Sequence, residues 1–203
     1  MSETTYTIER DLREARAMAD ALIPYVHENR LYGTVGGGGM FGGGKMPSLT
    51  IGALLMRLRR LRALEDRLTD SQRAALAEIE ARHEEVRKEW TVHYTEKLNQ
   101  EANSRLKAMA QFFEECDDSP RICPNIYLPE TLRRTIVQDI TAALDTLGAE
   151  STDLSRAIRG VDGKLRRFTE PSEFVWAQAL EAAYPREVYW WLYAKPPKVD
   201  EKK

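Results

Sequence analysis

The sequence predicts an all-α protein: an elongated helical bundle with one very long central helix at about residues 70–116. Three observations predict it. Apolar residues recur at steps of three and four along most of the chain. The stretch from Asp70 to Cys116 contains neither proline nor glycine. No credible run of alternating residues reads as a set of strands, and Val35 and Ile126-Tyr127-Leu128 are the only strand-like fragments. The chain reads as a single all-helical domain over 1–203. Its alternative division is a long-helix hairpin region over 1–116 and a C-terminal helical subdomain over 130–194.

Taken in order, Ile8, Leu12, Ala15, Ala19, Leu22, Ile23 and Val26 form the apolar stripe of a first helix. Pro24 removes a backbone donor inside it, so the helix kinks there or a separate turn follows over 25–30. Residues 33–45 hold eight glycines in thirteen positions, too great an entropic cost for regular structure, and form a Gly-rich loop carrying Met40 and Phe41. Pro47 and Ser48 open a helix that runs to about Leu68, with Ile51, Leu54, Leu55, Leu58 and Leu61 toward a core. Thr69-Asp70-Ser71-Gln72 fits a capping box and starts the next helix.

From there Leu76, Ile79, His83, Val86, Trp90, His93, Leu98, Ala102, Met109, Phe112 and Cys116 continue the helical spacing. Glu78/Arg82, Glu84/Lys88 and Glu101/Arg105 stand four apart in the favourable order. A continuous helix of this length measures about 69 Å, whereas a compact chain of this size is only about 43 Å across. It therefore breaks near 99–104, lies along a partner, or belongs to an elongated fold. Prolines at 120, 124 and 129 mark a connection; helices follow over about 130–147 and 152–168, and two shorter ones behind Pro171 and Pro185. The tail from Lys195 reads as extended.

Composition narrows the function classes. A chain of 203 residues can bury one sizeable core, or two small ones, without covalent staples. Thirty Lys and Arg against 32 Asp and Glu give a formal net charge of −2, which excludes a globally basic nucleic-acid binder but not a local basic patch. Two cysteines and three histidines exclude a disulfide scaffold and speak against a multi-ligand structural zinc site. Met1-Ser2-Glu3-Thr4-Thr5 lacks the basic start and apolar run of a secretory signal, and no apolar run is long enough to span a membrane. A cytoplasmic location with Cys116 and Cys123 reduced is the resulting expectation, although their spacing around Pro120 admits a local disulfide.

No complete catalytic set is present, and no cofactor or metal is assigned. Gly39 to Lys45 matches the first part of a phosphate-cradling loop, but Met46 replaces the hydroxyl residue that would hold magnesium, and no strand precedes it. Glu80-Ala81-Arg82-His83 places a carboxylate and an imidazole on one helix face, yet neither His27 nor His93 repeats the spacing a di-iron bundle needs. Arg87 stands where a zinc peptidase would have its second histidine.

Two features carry more. Lys45 to Arg67 has six positive and two negative charges, while 70–118 has seven positive and twelve negative. Arg57 and Arg60 on the basic helix could meet nucleic-acid phosphate or an anionic membrane, with Met40 and Phe41 dipping into lipid; the plainer reading is that the two segments pack together and balance. Second, eight of the seventeen aromatic residues lie between Phe168 and Tyr193. Trp190 and Trp191 are adjacent and cannot share one narrow stripe, so one belongs to an interface, or the whole segment caps its own core, against Trp90 and Tyr94.

The function expected from this pattern is a non-enzymatic helical protein-interaction or assembly subunit that oligomerises through the long helix. The alternatives are an accessory subunit binding nucleic acid or an anionic membrane through the basic helix 47–68, and a helical-bundle small-molecule binder or enzyme.

Overall fold

Seven α-helices, three-residue to six-residue 3-10 turns and one two-residue strand pair make up the described part of the chain, residues 3–35 and 46–197 of a computed structural model. The fold is all-α, as the helical spacing predicts. Met40 and Phe41, with the rest of the loop over 36–45 and the tail beyond 197, lie outside the described residues. Two compact units divide the chain: Thr7–Glu101, and Ala102–Lys203 together with the residues before Thr7.

In the first unit, α1 (Ile8–Asp20) begins at Thr7, whose hydroxyl accepts from Arg10 N. Ala21 separates it from the short α2 (Leu22–His27), so the single stripe of the sequence is two helices and Pro24 sits in the first turn of the second. Gly33 and Leu49 then exchange both backbone hydrogen bonds at 2.9 Å and close the base of the glycine-rich loop. A Cβ at Gly33 would lie 2.8 Å from Cδ2 of Tyr25, so this close approach needs glycine.

Helix α3 (Ile51–Ala63) starts at Thr50 rather than at Pro47, because Thr50 Oγ1 accepts from Ala53 N. The buried carboxylate of Glu101 accepts from Gly52 N at 2.8 Å and satisfies a second free amide of that helix start. Thr69 and Gln72 form the expected capping box at the start of α4 (Asp70–Glu89).

The long span beyond Asp70 is helical with one break, at Trp90, nine residues before the expected region. Trp90 has φ −115 and ψ 35, while its amide donates to Val86 and its carbonyl accepts from Tyr94, so the hydrogen bonding passes through the break. The second piece, α5 (Thr91–Asp118), is 28 residues long and crosses the division between the two units. Of the three intrahelical pairs expected, Glu84/Lys88 forms. Glu78 instead meets Arg16, and Arg82 meets Asp20, because α1 offers closer partners than the neighbouring turn.

In the second unit, α6 (Cys123–Thr146) begins seven residues before the expected helix at Glu130 and absorbs the Ile126-Tyr127-Leu128 fragment. Pro124 occupies its first turn, and Pro129 lies inside it; Asn125, whose carbonyl loses its partner there, is exposed. The helix ends at Gly148 (φ 62), where Gly148 N donates to Asp145 O and Ala149 N to Leu144 O, a Schellman stop. Cys116 and Cys123 are joined as a disulfide with Cα atoms 5.4 Å apart, in place of the reduced pair expected, because the reversal from α5 to α6 takes only the 3-10 turn Pro120–Ile122.

Helix α7 (Thr152–Phe168) follows, and behind it the expected short α-helices are 3-10 turns, Gln178–Ala183 and Trp190–Tyr193. Strands β1 (Glu170–Pro171) and β2 (Ala194–Lys195) pair antiparallel and clip this segment shut.

Two substitutions separate buried from exposed pairing in the first unit. Arg57→Ala strands the buried carboxylate of Glu14, while Asp11 keeps Arg60, and is expected to cost about 3–5 kcal/mol. Arg62→Ala breaks an exposed pair with Glu80 and should cost about 1 kcal/mol or less. Urea denaturation of both variants checks the difference.

The two units also carry buried groups of opposite pH sense. His83 Nε2 lies 2.8 Å from Tyr94 Oη, and burial pushes its imidazole from 6.5 down to about 4, with Glu84 opposing and Arg87 adding to the shift. The unfolded chain therefore binds more protons between pH 6.5 and 4, and stability of the first unit falls as pH drops through that window, by roughly 3 kcal/mol at full extent. Glu130 in the second unit is pushed by burial from 4.5 up to about 7, against the pull of Arg133. Its contribution is present below about 4.5 and is lost as pH rises through about 7. Hydrogen exchange at pH 5 and 7, corrected for intrinsic rate, should show protection around His83 falling on acidification and protection around Glu130 rising.

Candidate functional site: an arginine–aromatic groove

The C-terminal aromatics are held by one edge of α6. Tyr127, Thr131, Thr135 and Asp139 stand four residues apart and so line up along a single face. Tyr127 Oη donates to Trp191 O at 2.7 Å, Trp176 Nε1 to Thr131 Oγ1 at 2.8 Å, Trp191 Nε1 to Thr135 Oγ1 at 3.0 Å, and Tyr189 Oη to Asp139 Oδ1 at 2.9 Å. Thr131 passes its own proton to Leu128 O. The Arg134 guanidinium covers the Trp191 ring at 4.0 Å and is itself held by Asp162 at 2.7 and 3.0 Å. Trp191 is thus a core residue, and the aromatic segment caps its own unit on α6. Tyr94 is occupied by His83.

Trp190 is placed differently. It is half-buried and lines a cavity of about 540 Å³ with Arg166, Thr169, Glu170, Pro171, Arg186, Tyr193 and Ala194. The Arg166 guanidinium lies 3.9 Å over the Trp190 ring, and Arg186 lies 5.1 Å over Tyr193. Both arginines are exposed, and neither has a carboxylate partner among the described residues; Arg186 donates only to Ser172 O. A guanidinium stacked on a ring keeps its edge donors free, so the groove presents two oriented forks suited to carboxylate or phosphate. Glu170 supplies the one negative charge in the lining.

The arginines expected at an anionic surface are elsewhere. Arg57 is 6% exposed and donates to Glu14 at 2.9 and 2.5 Å; Arg60 is 1% exposed, 3.8 Å from Asp11. Arg62 is taken by Glu80 and Glu65. Arg57 and Arg60 face α1 carboxylates inside the fold and so offer no surface to phosphate or lipid. Arg166 and Arg186 went unnoticed in the sequence because each meets its ring across 24 and seven residues, and only the β1–β2 pairing brings these segments together. One signal was available: helix α7 carries five positive and two negative charges.

A second cavity, about 220 Å³, is lined by Glu115, Pro129, Glu130 and Arg133 among others. Glu130 pairs with Arg133 through one carboxylate oxygen, and its other oxygen has no hydrogen-bond partner among the described residues. No serine, cysteine or histidine lines it, so the shifted carboxyl has no nucleophile or relay partner there. Among the described residues no three or more His, Cys, Asp or Glu side chains gather as a metal cluster, and no helix is long and apolar enough to cross a membrane.

Fold and groove together define a two-unit helical protein with an exposed arginine–aromatic cleft. No known family, curated protein or solved structure matches the chain.

The ladder on α6 can be tested rung by rung. Thr131→Val removes the hydroxyl that accepts from buried Trp176 Nε1 and should cost about 1–3 kcal/mol. Pairing it with Trp176→Phe removes both polar ends and should recover part of that loss in a double-mutant cycle followed by urea denaturation.

Proposed function

We infer that this chain is a non-enzymatic protein-interaction subunit that captures an acidic segment of a partner protein in the groove between Arg166 and Arg186. The observation that carries the reading is the pair of exposed guanidinium–ring stacks, neither of them in a salt bridge with a carboxylate among the described residues. Stacking fixes each fork at little entropic cost, and an extended chain with carboxylates at suitable spacing satisfies both. Trp190 and Tyr193 add flat apolar area between the charges, the composition of an interface centre. Exposed Arg159, Lys164 and Arg167 on α7 extend the positive field that would steer such a partner. The absence of a nucleophile–base pair in either cavity supports a binding role over a catalytic one. Self-association through the long helix is a weaker reading after the break at Trp90, since a straight seam of the expected length is interrupted.

The test uses a fluorescently labelled oligo-glutamate peptide. Its anisotropy should rise on titration with the protein, fall with added salt, and lose at least about tenfold in affinity in the variant Arg166→Glu/Arg186→Glu. Light scattering on the same variant checks that mass and fold are unchanged. No peptide binding, or binding that survives the double substitution, sinks the reading. Tighter, salt-sensitive binding of duplex DNA through the same arginines would move the assignment to nucleic acid.

A further inference from the structure

His27 and His93, separated by 66 residues in sequence, meet at the exposed surface of the first unit with ring centroids 5.1 Å apart and planes inclined by 57°. We propose that they form a two-histidine site for a divalent transition cation of the zinc type, with water completing the coordination. The separation carries the argument. With a zinc–nitrogen distance of about 2.0–2.1 Å and a ring centroid roughly 1.1 Å beyond the nitrogen, two imidazoles spanning a tetrahedral angle place their centroids about 5.2 Å apart. An octahedral right angle would bring them to about 4.5 Å. The observed 5.1 Å lies within reach of such a pair of ligands once one nitrogen of each ring turns toward a shared ion.

The spacing is also held in place by groups other than the histidines. His27 ends α2, and His93 lies in the first turn of α5. One turn along α5, Lys97 donates through Nζ to the carbonyls of Glu28 and Arg30 at 2.6 and 2.7 Å, tying the backbone just after His27 to the helix that bears His93. Lys97 is buried and covers the Tyr25 ring at 4.4 Å, so this tie is part of the packed interior. Trp90 walls the pair, 4.2 Å from the His27 ring and 6.2 Å from that of His93. A site whose ligands are positioned before binding loses little entropy on taking up the ion. With no third His, Cys, Asp or Glu gathered there among the described residues, the remaining positions stay open to water.

Bound Zn²⁺ would staple α2 to α5 and stabilise the first unit by mass action. Isothermal titration of the full chain with ZnCl₂, at about pH 7.5 where imidazole competes well with protons and without reductant so that the disulfide stays closed, should give one ion per chain. His27→Ala and His93→Ala should each weaken binding about tenfold or more, and the double variant should be little worse than either single one, since one imidazole alone makes a poor site. Both side chains are exposed, so circular dichroism should be unchanged. In the unaltered chain, NMR should show Zn²⁺ shifting the ring resonances of two of the three histidines while that of buried His83 stays in place. No saturable binding below about 1 mM, binding that survives both substitutions, or a shift confined to His83 would overturn the proposal.

Discussion

Four side chains one helical turn apart on α6 decide what the C-terminal third of the chain can be. Residues 170–195 have little regular structure of their own: two 3-10 turns and a two-residue strand pair. Such a segment is ordered only if its buried polar groups find partners, because each indole N–H or phenol left dry costs more than its ring gains by modest burial. Tyr127, Thr131, Thr135 and Asp139 supply those partners in register. The consequence reaches the groove. With Trp191 fixed inward by Thr135 and Arg134, the neighbouring Trp190 on the same 3-10 turn is rotated away by about 120°, to the face where Arg166 waits.

Charge plays two unlike roles in the two units. In the first, Arg57 and Arg60 sit with Asp11 and Glu14 under cover, where their worth lies in specifying how α1 meets α3 more than in net stability. In the second, Arg166 and Arg186 rest on aromatic faces and keep their charge toward solvent. Guanidinium serves both roles because it is planar and weakly hydrated; lysine at any of these four positions would lose either the fork or the stack.

The helical class, the capping box at Thr69 and the helix content of 70–116 were legible because spacing and caps are local signals. The break was misplaced because Trp90 interrupts the helix by one residue without a proline or glycine to announce it. The onset of α6 was hidden for the opposite reason: three prolines advertise a loop, yet one falls in a 3-10 turn, one in a first turn, and one opposite an exposed carbonyl. That the basic helix is balanced within its own chain was the plainer reading of the sequence; that Asp11 and Glu14 on α1 do the balancing was not legible, since a net charge does not say which face holds it. Of the aromatic pair at 190–191, the divergence was legible; the identity of the outward residue depended on Thr135, fifty-six residues before Trp191 and unremarkable in isolation.

One backbone hydrogen bond bears on the order in which the molecule is made. Ala177 N donates to Glu3 O at 2.9 Å, so the segment before Thr7 belongs with the unit that is translated later. Thr7–Glu101 is a compact unit of contiguous chain and leaves the ribosome before the bulk of the other. The Glu3 carbonyl waits until its partner amide at Ala177 emerges some 170 positions later. The second unit is therefore completed only after two pieces distant in sequence find each other. A tag or fusion placed ahead of Thr7 would burden that late closure, while the earlier unit would form as before.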